Sequence, residues 1–192
     1  YSYLPKNTPV IVEPKIDGCA MAVRYVDGLL VKAWTRKGID KTYCMRMIED
    51  LPKHIIAKGT VDIRGELYGK GLIPARSQRL AAGHLRKKQP SGMGLSFCAF
   101  QIFDAKGTEI SNLQQLVKWG FHVCGHIKVN KDVVNKVKQL HSQWQDSLIF
   151  SRYPTDGIVV KVLDKDLQDK IGRTSIAPSW ATAIKDTWKK TW

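Results

Sequence analysis

Short apolar runs separated by turn residues constrain the fold of this chain more than any other feature. In the first hundred residues, such runs occupy positions 10–12, 20–25, 29–34, 61–67 and 95–103. Their lengths are typical of β-strands, and Val26, Asp27 and Gly28 predict a turn that pairs positions 20–25 with 29–34 as a hairpin. Two further strands are predicted at 158–162 and 180–184. The chain is therefore expected to be rich in antiparallel sheet.

Two segments instead carry apolar residues at helical spacing. The first contains Leu113, Leu116 and Val117 and stops at Gly120, and Asn112 is its predicted N-cap. The second has apolar positions from 133 to 144, and position 130 is its predicted cap, an asparagine. Strands and helices together predict a single α+β domain over residues 1–192, with mostly antiparallel sheets and flanking helices.

The charge balance points to a polyanionic partner. Lysine and arginine total 31 against 17 aspartate and glutamate, which gives a formal net charge of +14. Nucleic acid phosphates favour such an excess of positive charge, although a merely soluble basic protein would account for it equally well. No apolar run is long enough to cross a bilayer, so we expect no membrane partner.

The cysteine pattern gives no indication of a metal centre. Cys19, Cys44, Cys98 and Cys124 form no Cys-x-x-Cys pair, so a zinc site is not expected. Each lies among apolar residues and is interpreted as a small core residue. With no secretory signal at the start of the sequence, this pattern favours a reducing, cytoplasmic location.

An acid-lysine-acid row marks the first strand. Glu13, Lys15 and Asp17 would face the same side of a strand, and Gly18 would allow a close approach of ligand to backbone. Such a row is costly to bury unless its charges are paired or used in chemistry. The alternative interpretation is an edge strand with a surface ion pair.

Two later lysines strengthen the case for an anion site. Lys161 and Lys185 are each the single charge in an apolar run that is predicted to be a strand. One such lysine could extend its amine to solvent. Together with Lys15, the two predict a phosphate held between strands.

The order of four motifs identifies a family resemblance. Lys-x-Asp-Gly begins at Lys15, Arg-Gly-Glu at Arg64, Asp-Gly-x-Val-x-Lys at Asp156 and Trp-x-x-x-x-Lys at Trp180. This order resembles the covalent nucleotidyltransferases, which comprise DNA ligases, RNA ligases and capping enzymes. The whole chain resembles the catalytic domain of these enzymes.

Within that group, the chain looks most like the adenylation domain of the NAD-dependent DNA ligases. Its acidic motif has Arg64 where ATP-using relatives usually have aspartate. The segment Arg-Leu-Ala-Ala-Gly-His-Leu-Arg at 79–86 is similar to the Arg-Asn-Ala-Ala-Ala-Gly-Ser-Leu-Arg of that family. The strand at 95–103 and the later Lys-Trp-Gly-Phe at 118–121 also fit the family in type and order.

The resemblance implies a three-step reaction with NAD and Mg²⁺. Lys15 would attack the α-phosphorus of NAD, release nicotinamide mononucleotide and become lysyl-AMP. AMP would then pass to a 5′-phosphate at a nick in double-stranded DNA, and the 3′-hydroxyl would seal the strand. Because only a neutral amine attacks, we expect cations at Arg64, Lys161 and Lys185 to surround the nucleophile.

The resemblance also implies roles for individual residues. The catalytic set is Lys15, Asp17, Glu66 and Lys185, in which Asp17 and Glu66 would reach magnesium through water. The nucleotide would contact Glu13, Lys15, Ile16, Gly18, Arg36, Glu66, Phe100, Lys161 and Lys185, with the ring of Phe100 stacked on adenine. Arg79 and Arg86 would face the nucleotide phosphate or the nick. Without the resemblance, Phe100 would be read as core and the two arginines as solvated helix residues.

The chain also departs from the family pattern. Relatives follow the Thr-Arg pair with a run rich in glycine and acid, whereas Lys-Gly-Ile-Asp-Lys-Thr follows Arg36 here. The spacing between Arg79 and the next motif residues is one residue short. Family members also carry a nicotinamide-binding helical region, an OB-fold, a zinc module and helix-hairpin-helix elements, none of which fits in this chain. Further domains or a partner subunit are therefore expected.

Two other functions remain open from the sequence. The same lysine would serve an ATP-dependent DNA or RNA ligase domain. A non-catalytic nucleic-acid-binding subunit could also keep the fold, although the presence of Lys15, Glu66, Lys161 and Lys185 argues against this.

Overall fold

Two four-stranded sheets form the frame of the protein. The computed structural model describes residues 7–172 and 179–185. The strands are β1 (Val10–Ile16), β2 (Cys19–Val26), β3 (Leu29–Thr35), β4 (Thr60–Gly69), β5 (Leu95–Ile102), β6 (Ile127–Val129), β7 (Thr155–Val162) and β8 (Ala181–Lys185). One sheet has the order β6-β1-β7-β8 and the other β3-β2-β4-β5. All of these strand pairs are antiparallel, which confirms the predicted α+β class.

Five helices flank the sheets in the described part of the chain. They are α1 (Thr42–Arg46), α2 (Pro74–His84), α3 (Glu109–Lys118), α4 (Val133–Gln145) and α5 (Lys165–Ile171). Among these residues, no helix has the length and apolarity that a membrane-spanning helix requires.

The predicted hairpin is confirmed. Val26 of β2 pairs with Leu29 of β3, which leaves Asp27 and Gly28 as a two-residue turn. Their φ angles are 45° and 83°, as in the turns whose twist matches that of paired strands.

Both predicted helix caps were wrong, although the helices exist. The first helix begins at Glu109, and the side chain of Thr108 accepts a hydrogen bond from the backbone N of Ser111, so Asn112 lies inside the helix. The second begins at Val133 after Asp132, two residues beyond the predicted cap. Several residues near each start can cap a helix, and the apolar pattern alone does not select among them.

Apolar side chains join the two sheets into one core. The largest buried cluster unites Ile11 of β1 with Val23, Ile63 and Phe97 of the other sheet. A second cluster packs Val12 and its neighbours on β7 against Leu140 of α4. Each face of β1 therefore has its own packing partner, which fixes the direction of every side chain along this strand.

Cys98 and Cys124 are buried in an apolar cluster, which confirms their interpretation as small core residues. They also form a disulfide with Cα atoms 6.4 Å apart, a pairing that the sequence pattern did not predict. The backbone of Cys98 on β5 forms an isolated parallel β-bridge with His122, and Cys124 follows His122 by two residues. The fold thus brings Cys98, His122 and Cys124 together, with potential metal-ligand atoms within 4.8 Å of one another. Cys-x-x-Cys spacing does not indicate such a group, because Cys98 and Cys124 are 26 residues apart in sequence.

Candidate active site

A cleft of about 270 Å³ lies between the two sheets. The first sheet contributes residues of β1 and β7, and the second contributes residues of β4 and β5. The cleft is lined by Glu13, Pro14, Lys15, Ile16, Arg64, Glu66, Cys98, Ala99, Phe100, Gln101, Val123, Cys124, Val159, Lys161, Trp180 and Ala181. Six residues that the sequence assigned to a nucleotide site are among them, and they come from four strands.

Strand alternation explains why the charged residues of β1 face this cleft. Ile11, Glu13 and Lys15 share one face of the strand, whereas Val10 and Val12 pack in the cluster beneath α4. Because the apolar residues of the opposite face are fully buried, a shift of one residue would turn the lysine into that cluster.

Lys15 and Lys185 share one carboxylate. The Lys15 Nζ atom lies 2.7 Å from Asp156 Oδ1, and the Lys185 Nζ atom lies 3.2 Å from Asp156 Oδ2. Lys185 therefore stands close to the predicted nucleophile, as expected. The sequence predicted cations and the acids Glu13, Asp17 and Glu66 near Lys15, but it did not identify Asp156 as the direct partner.

An irregularity in β7 turns Asp156 towards the lysines. Pro14 pairs with Ile158 but Ile16 pairs with Thr155, so β7 has one more residue than β1 over this stretch. In a regular strand, Asp156 would share the face of Ile158, which packs under α4. The extra residue redirects the aspartate side chain towards Lys15, an effect that bulges commonly have beside active sites.

Two acids near Lys15 hold their protons unusually well. Burial raises the pKa of Glu66 to about 8, and the nearby Lys15 only partly opposes this. Burial also raises the pKa of Asp17, as does repulsion from Asp156, against the opposing effect of Lys15 and Lys185. Anionic forms that burial disfavours would be stabilised by an added cation.

These acids have the ligand type that magnesium prefers, but their positions favour contact through water over direct coordination. Carboxylate oxygens are the ligands that Mg²⁺ prefers. Within residues 7–172 and 179–185, however, Asp17, Glu66 and Asp156 do not bring three carboxylates within 4.8 Å of one another. A magnesium ion that uses them would keep several waters, in line with the indirect contact expected from the sequence.

A buried ion pair closes the other end of the cleft. The Lys161 Nζ atom lies 2.6 Å from Glu13 Oε2 and donates a hydrogen bond to the Phe100 carbonyl at 3.3 Å. The same ammonium lies 5.4 Å from the centre of the Phe100 ring, within range of a cation–π contact. Glu13, Phe100 and Lys161 therefore form one unit that presents a charged donor, a carboxylate and an aromatic face.

Three predicted arginines lie outside this cleft, and a fourth lines it only in part. Arg36 lines a neighbouring cleft with Phe103, and Arg64 lines both clefts. Burial lowers the pKa of Arg64, and repulsion from Arg36 lowers it further. Arg79 and Arg86 are exposed, the first on α2 and the second just after it.

Gly18 allows two backbone segments of the protein to approach each other closely. A Cβ atom at this position would overlap the carbonyl oxygen of Leu67 on β4. The preceding residue, Asp17, donates its backbone N–H to the Pro154 carbonyl at 2.8 Å. The turn between β1 and β2 is therefore tightly packed against both sheets, which fixes the end of β1 that carries Lys15.

Comparison with known proteins decides the family. The sequence matches the family described as the NAD-dependent DNA ligase adenylation domain over residues 2–72 and 70–188. The chain belongs to this family. The adenylation domain is 33% identical over 208 residues to a DNA ligase of Pelobacter propionicus, covering 92% of the chain and 29% of that protein. It is 31% identical over 207 residues to a DNA ligase of Fervidobacterium nodosum, covering 94% of the chain and 30% of that protein. The chain thus spans less than a third of the length of these two relatives.

Solved structures show the same fold at low sequence identity. A structure from the Lig E DNA ligases superposes with a TM-score of 0.59 and 18% identity, and covers 97% of this chain and 66% of that one. The ligase domain of LigD from M. tuberculosis gives a TM-score of 0.56 and 17% identity, and covers 83% of this chain and 50% of that one. At these identities the likeness concerns the fold of the adenylation domain.

Proposed function

We propose that this adenylation domain takes AMP from NAD onto Lys15 and passes it to a 5′-phosphate at a nick in double-stranded DNA. The observation that carries the proposal is the position of Lys15 in the inter-sheet cleft, with Lys185 and Asp156 on one side and Glu66 across from it. A lysine held in this way can reach the α-phosphorus of a nucleotide whose adenine lies against Phe100.

The charged residues would have distinct tasks in the first step. The Lys15 Nζ atom forms a bond to the α-phosphorus, and the bond from that phosphorus to the oxygen of nicotinamide mononucleotide breaks. Asp156 Oδ1 is placed to receive a proton from Nζ, which must be neutral to attack. Lys185 would offset negative charge on the phosphoryl oxygens.

The remaining residues would bind the nucleotide. Glu13 and Lys161 offer an acceptor and a donor to the edge of adenine, and Phe100 offers its ring. Asp17 and Glu66 would hold a hydrated magnesium ion, which supplies charge neutralisation at the phosphates. Roles of Arg36, Arg79 and Arg86 at the ribose, phosphate or nick stay predictions, as do those of Ile16 and Gly18.

Nick sealing would need more protein than this chain contains. The two ligase relatives are more than three times as long, so nicotinamide binding and further DNA contacts would fall to other domains or to a partner subunit. The chain alone is expected to hold the adenylate but to react slowly with NAD. Its net charge of +14 suits a DNA partner, and its cytoplasmic location stays a prediction.

Intact-mass measurement tests the proposal. The chain is incubated with Mg²⁺ and either NAD or ATP, alongside a Lys15→Ala variant. The proposal is supported if incubation with NAD adds the mass of one AMP to the parent chain and not to the Lys15→Ala variant. A gain from ATP alone would favour an ATP-dependent ligase, and no gain, even with the missing domains added, would favour a non-catalytic DNA-binding role.

A further inference from the structure

Lys161 is held by two carboxylates, and only one of them belongs to the cleft. Glu13 of β1 contacts its Nζ atom from the cleft side at 2.6 Å. Glu109, in the first turn of α3, lies 3.7 Å from the same Nζ atom through its Oε2. All three residues are buried, each with 6% of its surface exposed. A residue outside the nucleotide cleft therefore shares the cation that stands at its end.

Glu109 is itself oriented by a second helix. Gln168 of α5 donates its Nε2–H to Glu109 Oε1 at 3.3 Å and to the Val162 carbonyl at 2.6 Å. Gln168 is also buried, and its backbone partner directly follows Lys161 on β7. The amide thus ties the carboxylate of α3 to the strand that carries the lysine.

The charges in this group depend on one another. Burial alone would lower the pKa of Lys161, but Glu13 and Glu109 outweigh it and raise the pKa. Burial raises the pKa of Glu109, Lys161 opposes this, and repulsion from Glu13 adds to the rise. A single buried cation therefore lies between two acids that repel each other, and its position is a balance between their attractions.

We propose that Glu109 is a positioning residue for adenine recognition, with Gln168 orienting it. The inference rests on the proposed function of the cleft. An adenine edge needs both a donor and an acceptor, which Lys161 and Glu13 would supply. Lys161 already contacts Glu13 Oε2 at 2.6 Å, and Glu109 attracts the same ammonium from 3.7 Å. Without the charge of Glu109, Glu13 would be the sole anionic partner of the ammonium, which would then occupy more of the carboxylate that an adenine amino group needs. Glu109 therefore keeps Lys161 shared between two carboxylates beside Phe100, so that it can also donate to the base.

The test is noncovalent binding of AMP and of ribose 5-phosphate, measured by calorimetry on the whole chain. Glu109→Gln keeps the size of the side chain and removes its charge. We expect the dissociation constant for AMP to rise about tenfold or more, because Lys161 would no longer be well placed to donate to the base. Binding of ribose 5-phosphate, which lacks adenine, should stay within about twofold.

Two further variants distinguish a positioning role of Glu109 from a nonspecific loss of structure. Asp169→Asn makes the same chemical change at an exposed carboxylate of α5 that pairs with Lys165 at 2.8 Å, and it should leave both affinities unchanged. Gln168→Leu removes the orienting amide and should weaken AMP binding less than Glu109→Gln does. If Glu109→Gln does not fold, Gln168→Leu decides the question by the same comparison of AMP with ribose 5-phosphate.

The outcomes distinguish this inference from the proposed function. An AMP affinity of Glu109→Gln equal to that of the parent, or an equal loss for ribose 5-phosphate, overturns the positioning role. A parent chain that binds AMP but forms no Lys15 adduct, even with the further domains supplied, overturns the ligase function, and the positioning role is then judged on binding alone. A parent chain that binds no AMP overturns both.

Discussion

The Lys15 Nζ atom donates a hydrogen bond to Asp156 Oδ1 at 2.7 Å, and about a quarter of each side chain is exposed. Attack on phosphorus requires a neutral amine, so a proton of Nζ must leave before the lysine can react. Asp156 Oδ1 is in direct contact with Nζ and can receive that proton. Lys185 competes for the same carboxylate at 3.2 Å, and a bound phosphate would draw Lys185 away.

Removing the carboxylate should slow adduct formation. In Asp156→Asn, Lys15 loses the group placed to receive its proton, while the amide keeps the size of the side chain. We expect the rate of lysyl-AMP formation to fall about a hundredfold or more. Intact-mass measurement over time checks this, with Asp169→Asn as the control. An unchanged rate in Asp156→Asn, or an equal loss in both variants, would contradict it.

Glu66 should make the stability of the protein depend on pH. Its folded pKa is about 8 because of burial, against an ordinary value of 4.5, so the folded state holds a proton that the unfolded state loses. The free energy of unfolding must then fall as the pH rises from about 5 to about 9. Glu66→Gln removes this ionisation and should gain stability relative to the parent at pH 9 but not at pH 5. Urea denaturation at both values measures the difference, and the exposed Glu49→Gln should show none.

The ring of Phe100 should contribute to nucleotide affinity. Stacking of a base on an aromatic side chain contributes about 1–3 kcal/mol, so Phe100→Leu should raise the dissociation constant for AMP about tenfold. Phe103→Leu is a matched control, because Phe103 lies in the neighbouring cleft over Arg64. Equal loss of AMP affinity in both variants would show that the effect is not stacking.

Two glycines should respond in opposite ways to alanine. A Cβ at Gly18 meets the Leu67 carbonyl, so Gly18→Ala must displace the end of β1 and should cost about 1–3 kcal/mol of stability. Gly83 lies in α2 with nothing within 4 Å of such an atom, and Gly83→Ala should stabilise the protein by about 0.5–1 kcal/mol. Thermal melting of the two variants decides this, and a destabilised Gly83→Ala would be the contrary result.

Seven of the eight described strands could be predicted, because their apolar residues come in short runs with clear turns between them. The strand β6 was not predicted, because its three residues are too few to form such a run. The helix α2 could not, because its buried residues include Ser77 and His84 and thus do not form an apolar stripe. The missing signal was present in Pro74, which occupies the first helical position, as proline often does.

The cleft residues were predictable to the extent that they belong to ordered motifs. Glu13, Lys15, Glu66, Phe100 and Lys161 all line one space, as the motif order indicated. Glu109 gave no signal, because an acid in the first turn of a helix is common for reasons unrelated to any site. Its burial beside Lys161 depends on how α3 packs, which a linear pattern does not reveal.

The cleft has one wall on each sheet, and this division links ligand affinity to the integrity of the whole molecule. A ligand that touches Lys15 on one wall and Phe100 on the other can be retained only while the two walls stay apposed. By mass action, such a ligand opposes any opening of the interface between them. Substitutions at Ile11 or Phe97, which join the two sheets in the core and do not line the cleft, would then weaken ligand binding.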